Sequence, residues 1–392
     1  VMTSDFEPLT VKEYSVRALT TDQRSDAASL AFPLLGLFGE TGSLLSEVKK
    51  NQRDRVSYVG YASAVVEELG DVLWYLNAVA ARVGLSLADI AYNVSLGCSD
   101  WHSGDAPDLS FAVLQPKVVT GLGEPTPAFE QTLLRLAGEV GLLVIDCQAK
   151  RVDHNQTALM DRLVGVMRIL VEAANEAGVT LEAAAVKNLW KIFDRWPQTR
   201  IYPDPFDIEA VASEQLPRAL AIEIFEREVA GQRYVFQRCN GINIGDRLTD
   251  NTLRPDDYRF HDVFHFAYAA VLTWSPVVRA LFRLKRKSDI KIDEAQDGAR
   301  AGLIEEGVTT WIFGQAQELN FFTNMKSGDL PLNLLKHVRE FVTGYESERC
   351  PLWLWEEAIL QGYAAFRYFK ERRRGRVCID MVNRRLNVEE LS

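Results

Sequence analysis

Two short stretches carry acidic side chains at spacings that suit a hard divalent cation. They are Gly39-Glu40-Thr41-Gly42-Ser43-Leu44-Leu45-Ser46-Glu47-Val48-Lys49-Lys50 and Val66-Glu67-Glu68-Leu69-Gly70-Asp71-Val72-Leu73-Trp74. Residues three, four and seven apart share a helix face, so Glu40, Ser43 and Glu47 align on one helix, and Glu67 or Glu68 aligns with Asp71 on the next. Carboxylates crowded on facing helices repel one another unless a cation sits between them, and Mg2+ takes one or a few carboxylates together with waters and substrate phosphates. The two stretches therefore read as a magnesium site built across two helices. A solvated acidic face gives the same Glu-x-x-Asp spacing, so the flanking sequence has to decide.

The elements that must position these carboxylates are amphipathic. Val65, Val66, Leu69, Val72, Leu73, Leu76 and Val79 recur at helical spacing, which leaves the acids at the edge or back of a buried stripe. The chain has 392 residues, 47% of them hydrophobic, enough for two or three cores. A net charge of −10 argues against a protein that coats nucleic acid, while leaving small phosphorylated ligands within reach of local Lys and Arg. Cys98, Cys147, Cys239, Cys350 and Cys378 form no Cys-x-x-Cys pair, so a disulfide framework or a zinc site is not expected. Val1-Met2-Thr3-Ser4-Asp5 shows no basic region followed by an apolar run, and no apolar stretch approaches membrane-spanning length. The expectation is a cytoplasmic protein with no membrane partner.

The order Gly-Glu-x-Gly, a Lys pair, Glu-Glu-Leu-Gly-Asp-Val-Leu-Trp-Tyr-Leu, then Gly84-Leu85-Ser86-Leu87-Ala88-Asp89-Ile90-Ala91 and Asn93 resembles the MazG family of all-α nucleoside triphosphate pyrophosphohydrolases. The resemblance covers about residues 28 to 101. It implies that Glu40, Glu68 and Asp71 hold Mg2+, with Mn2+ as the alternative, and that the ion clamps a triphosphate while water releases pyrophosphate. Ser43 stands where the family usually has a fourth carboxylate. Ser43 can still bond a metal-bound water. Glu47 or Glu67 is then a further ligand or the carboxylate that orients the attacking water, and Lys49, Lys50 and Asn93 are candidate phosphate or base contacts.

The same plan recurs. Ala137-Gly138-Glu139-Val140-Gly141-Leu142-Leu143 echoes Phe38 to Leu44, and Gly178-Val179-Thr180-Leu181-Glu182-Ala183-Ala184 echoes Gly84 to Ile90. Each copy then reaches an Asn and a Trp: Asn93 and Trp101, Asn188 and Trp196. Shared order argues for duplication. Arg162 and Gly165 stand about where Glu68 and Asp71 stood, so the second copy keeps Glu139 and Asp146 but lacks the means to hold Mg2+ alone. A worn copy still serves to complete a helical bundle, either within one chain or in a homodimer. Pro, Gly and Asp between Gly104 and Pro127, and again in Tyr202-Pro203-Asp204-Pro205-Phe206-Asp207, mark the breaks.

Beyond residue 210 the chain resembles the C-terminal domain that accompanies MazG domains in a group of bacterial proteins. Ala219 to Ala230 reads as a helix, followed by a short hairpin over Gln232–Gln237 and Gly241–Asp246. His261, Asp262 and His265 share a helical spacing, and Glu305 and Glu306 lie on a later apolar helix, so these five are expected to converge on a second polar site beside Lys285, Arg286 and Lys287. Imidazole with carboxylate suits Mn2+, Zn2+ or Fe, or else a structural ion-pair network. The stretches Asp262 to His265, Lys285 to Lys287 and Ile304 to Glu306 look like a distant third echo of the first copy, with Thr309 at the place of Asp71. Trp353 to Arg374 reads as an aromatic amphipathic helix, and Arg376 to Leu386 as a terminal strand or hairpin.

The expectation is thus a mainly α fold: a tandem MazG-like helical bundle whose second copy is degenerate, plus a largely helical C-terminal domain with minor β. The regions are 1–110 with the metal site, 126–200, and 210–392. The expected activity is Mg2+-dependent cleavage of a nucleoside triphosphate to monophosphate and pyrophosphate. A nucleotide-binding sensor with weak turnover and a helical protein-interaction scaffold are the alternatives.

Overall fold

The computed structural model describes residues 8–24, 29–97, 107–117, 121, 123–151 and 155–391. The expected landmarks Trp101 and Cys98, the residues Gly104-Asp105-Ala106 and the start Val1 to Asp5 lie outside them. The chain divides into two units, Val1–Phe193 and Asp194–Ser392.

The first unit is helical because its apolar residues keep a 3.6 spacing. Thr10 caps helix α1 (Val11–Leu19) by accepting from the Glu13 backbone N–H. Two long helices follow, α2 (Ala31–Asp54) and α3 (Tyr61–Arg82), then α4 (Leu87–Leu96) and the single turn α5 (Phe111–Leu114). Thr126, with Pro127 at the first helical position, starts α6 (Pro127–Gln148), Asn155 caps α7 (Gln156–Ala177), and α8 is Leu181–Arg195. Leu69, Val72, Leu73 and Leu76 of α3 share one core with Leu136, Val140 and Leu143 of α6 and with Leu163, Met167 and Leu170 of α7.

The two segments whose sequences echo each other share backbone detail at one turn. After α3, Gly84 adopts φ +73; after α7, Gly178 adopts φ +74. Each is followed by a buried aliphatic residue, Leu85 or Val179, and by a hydroxyl cap, Ser86 accepting from the Asp89 N–H and Thr180 from the Ala183 N–H. Leu87 and Leu181 are then fully buried, as are Asn93 and Asn188 nearly so. The same stop, staple and start signals thus turn the chain twice.

The second unit is built on a five-stranded antiparallel sheet in the order β3-β2-β1-β4-β5. The strands are β1 (Ala219–Val229), β2 (Gln232–Cys239), β3 (Ile242–Leu248), β4 (Arg374–Asp380) and β5 (Arg385–Glu389). The helix expected over Ala219 to Ala230 is therefore wrong: this segment is the central strand. Ile222 and Ile224 are buried, with the half-exposed Glu223 between them, a period of two, and β1 pairs with β2 on one side and β4 on the other. The expected hairpin and terminal strands are present. Its helices are α9 (Asp262–Ala267), which continues as π-helix through Tyr268–Leu272, α10 (Pro276–Phe282), α11 (Ile290–Ala295), α12 (Ala299–Glu318), α13 (Leu332–Phe341) and α14 (Leu352–Arg372). The molecule is mainly α with minor β. No helix among the described residues is long and apolar enough to cross a membrane.

Candidate functional site

Glu40 of α2 meets Glu68 and Asp71 of α3, with one carboxylate oxygen from each lying within 4.8 Å of the others. Two glycines permit this. At Gly36 a side chain would collide with the Tyr75 ring at 2.0 Å, so its absence lets α2 lie close on α3. At Gly70 a Cβ would stand 2.6 Å from the Ala184 carbonyl oxygen, so Gly70 lets α8 cross α3 beside the cluster.

That crossing delivers two residues that sequence reasoning missed as site residues. Asn188 donates from Nδ2 to Asp71 Oδ1 at 2.9 Å and accepts from the Tyr14 hydroxyl at 2.9 Å. Lys191 pairs with Glu67 Oε1 at 2.8 Å and donates to Asp71 Oδ2. Only the repeat hinted at this, since Asn188 answers to Asn93.

The cluster is electrostatically unsettled without a cation. Burial, then Asp71 and Glu40, push Glu68 up to about 8, and its Oε2 is buried with no hydrogen-bond partner. Burial and Asp71 also raise Glu40, partly offset by Lys191 and by hydrogen bonds with Glu68 and Ser43. Burial opposes the charge of Lys191, but Asp71 and Glu67 together hold it above its ordinary range. An unpartnered carboxylate oxygen facing two more carboxylates fits a hard divalent ion.

Other expected members lie elsewhere. Glu47 is buried and pairs with Lys50 Nζ, one turn on at i+3, at 2.6 Å and with the Tyr58 hydroxyl. Lys50 is thereby engaged by Glu47, and Lys49 is exposed. Asn93 donates to its own helix, to the Asp89 carbonyl at 2.8 Å. Ser43 hydrogen-bonds Glu40.

In the second copy, Arg162 lies 2.8 Å from Asp146 Oδ2 and 3.3 Å from Glu139 Oε1. A fixed guanidinium thus balances the two surviving carboxylates, and Gly165 leaves the room that a Cβ would fill at 3.1 Å from Glu139 Oε1.

The five expected residues of the second unit do converge. His265 Nδ1 lies 2.8 Å from Glu305 Oε1 and its Nε2 lies 3.3 Å from Glu306 Oε1. His261 Nε2 lies 3.2 Å from Asp262 Oδ1 and 4.0 Å from Glu306 Oε2. Burial opposes the charge on His265, yet Glu305 and Glu306 hold it well above the ordinary range; burial lowers His261. Arg286, expected beside this site, is instead buried against Asp297 and Glu346, at 2.6 and 2.8 Å. It serves the core, because a buried guanidinium needs carboxylate partners. Lys287 is exposed on the same loop.

Residues 201–392 match the family described as the MazG C-terminal domain. Neither the curated proteins nor the solved structures compared with the chain give a match.

Proposed function

We propose, from the premise that residues 201–392 belong to the MazG C-terminal domain family, that the first unit is a Mg2+-dependent nucleoside triphosphate pyrophosphohydrolase. The observation that carries this reading is the buried, unpartnered Glu68 Oε2 set against Glu40 and Asp71. Those three carboxylates would hold Mg2+, which supplies charge neutralisation for the phosphate oxygens of a bound triphosphate. Hydrolysis of the α–β anhydride consumes one water and yields a monophosphate and pyrophosphate. Glu67, which pairs with Lys191 at 2.8 Å, would orient that water and take its proton. Lys191, paired to Glu67 and Asp71, is suited to meet phosphate charge. Asn188 holds Asp71 in place from its far side.

Glu68→Gln and Asp71→Asn are each expected to abolish pyrophosphate release while the chain stays folded. Unchanged turnover in both variants would refute the assignment. Ser43 in place of a fourth carboxylate, together with Lys191 on Asp71, favours one second reading, a nucleotide sensor with weak turnover. Nucleotide binding without pyrophosphate release would select it.

A further inference from the structure

We propose that the second unit holds a first-row divalent transition metal between His261, His265 and Glu306, with Asp262 beside His261. The tautomers point to it. His261 Nδ1 lies 2.9 Å from the Tyr258 carbonyl oxygen, which can only accept, so Nδ1 carries the hydrogen and Nε2 presents a lone pair. His265 Nδ1 faces the fully buried Glu305 carboxylate at 2.8 Å, which likewise places the hydrogen on Nδ1. Its Nε2 is buried with no hydrogen-bond partner of good geometry and lies 3.3 Å from Glu306 Oε1. His261, His265 and Glu306 therefore converge, each offering one ligand atom within 4.8 Å of the others, and a bound cation would take the place of the proton on His265 Nε2.

Distances and outer contacts agree. Metal–ligand bonds of about 2.0–2.1 Å arranged tetrahedrally give ligand–ligand edges of about 3.3–3.4 Å. His265 Nε2 to Glu306 Oε1 is 3.3 Å, while His261 Nε2 to Glu306 Oε2 is 4.0 Å, a gap that a turn of the half-exposed Glu306 side chain would close. Ligating imidazoles characteristically donate their other N–H to a carboxylate or carbonyl, as both do here. Asp262 is oriented by Gln237, and Glu305 is itself fixed by the Ser275 hydroxyl at 2.6 Å and the Val277 N–H at 2.8 Å. The Tyr258 ring stacks on His261 with centroids 4.4 Å apart, while the Glu306 side chain is 42% exposed and gives solvent a way in. Nitrogen with carboxylate oxygen favours Zn2+, Mn2+ or Fe2+ over Mg2+. The rival arrangement is a proton on His265 shared with its two carboxylates.

The test strips the full chain with EDTA, equilibrates it separately with Zn2+, Mn2+ and Co2+, and measures retained metal by elemental analysis after dialysis. One ion per chain beyond any held by Glu40, Glu68 and Asp71 is expected, with Co2+ giving the visible bands of an imidazole-bound ion. Retention should persist in Glu68→Gln/Asp71→Asn, which alters only the first unit. It should fall by more than about tenfold in His261→Ala/Glu306→Gln, and in Glu306→Gln alone, which touches a half-exposed side chain and leaves the His265–Glu305 contact intact. No retained metal, or equal retention in the folded Glu306→Gln and double variants, would overturn the site and leave the proton-bridged ion pair.

Discussion

Burying Glu68 beside two further carboxylates makes the metal-free site hold a proton that the unfolded chain does not. Glu68 rises from an ordinary 4.5 to about 8. Its contribution to stability is therefore fully present below the unfolded value of 4.5 and is lost as pH rises through about 8. Melting temperature in EDTA should decline across that window, and saturating Mg2+ should flatten the decline by taking the proton's place; a pH-independent difference between the two conditions would count against metal binding there. Ser43→Glu restores a negative ligand next to Glu40 and is expected to tighten Mg2+ binding and raise turnover at limiting Mg2+. Loss of activity in a folded Ser43→Glu would show that the hydroxyl has a specific task. Glu40, Glu68 and Asp71 were legible in the sequence because helical spacing fixes which side chains share a face. Lys191 was not, since it reaches Asp71 from 120 residues away along the chain. Helical spacing put Glu47 on the face of Glu40 and Ser43, but its contacts with Lys50 and Tyr58 were not legible, since spacing reports a shared face and not the neighbours met there.

At the scale of elements, Gly70 is where α3 and α8 touch. Helix propensity alone would make Gly70→Ala stabilising by about 0.8–1 kcal/mol. A Cβ placed 2.6 Å from a backbone carbonyl that cannot swing aside reverses the sign, and overpacking of this kind costs about 1–3 kcal/mol. Chemical denaturation should show Gly70→Ala destabilised, with Lys191 and Asn188 drawn away from Asp71; a more stable variant would contradict the close crossing. The repeated caps made the helices of the first unit readable, because left-handed glycine and hydroxyl caps are local signals. Strand β1 escaped, since Glu223 and Glu226, three apart, also suit a solvated helix face, and only pairing with β2 and with the distant β4 decides for strand.

For the whole molecule, Arg162 is a permanent charge paired with Glu139 and Asp146, whereas Glu40, Glu68 and Asp71 gather in a triad. The minor β of the second unit was read in its hairpin and terminal strands, while the way its residues 261–306 gather into a site depended on packing that no local pattern records. The most direct measurement of the central claim is product identity. The full chain is incubated with a panel of canonical and modified NTPs and dNTPs in Mg2+ or Mn2+, and phosphorus NMR follows the products. The carboxylate triad predicts at least one substrate converted to its monophosphate and pyrophosphate, with no conversion in EDTA. Orthophosphate as the primary product, or no cleavage of any nucleotide with the metal present, would contradict it.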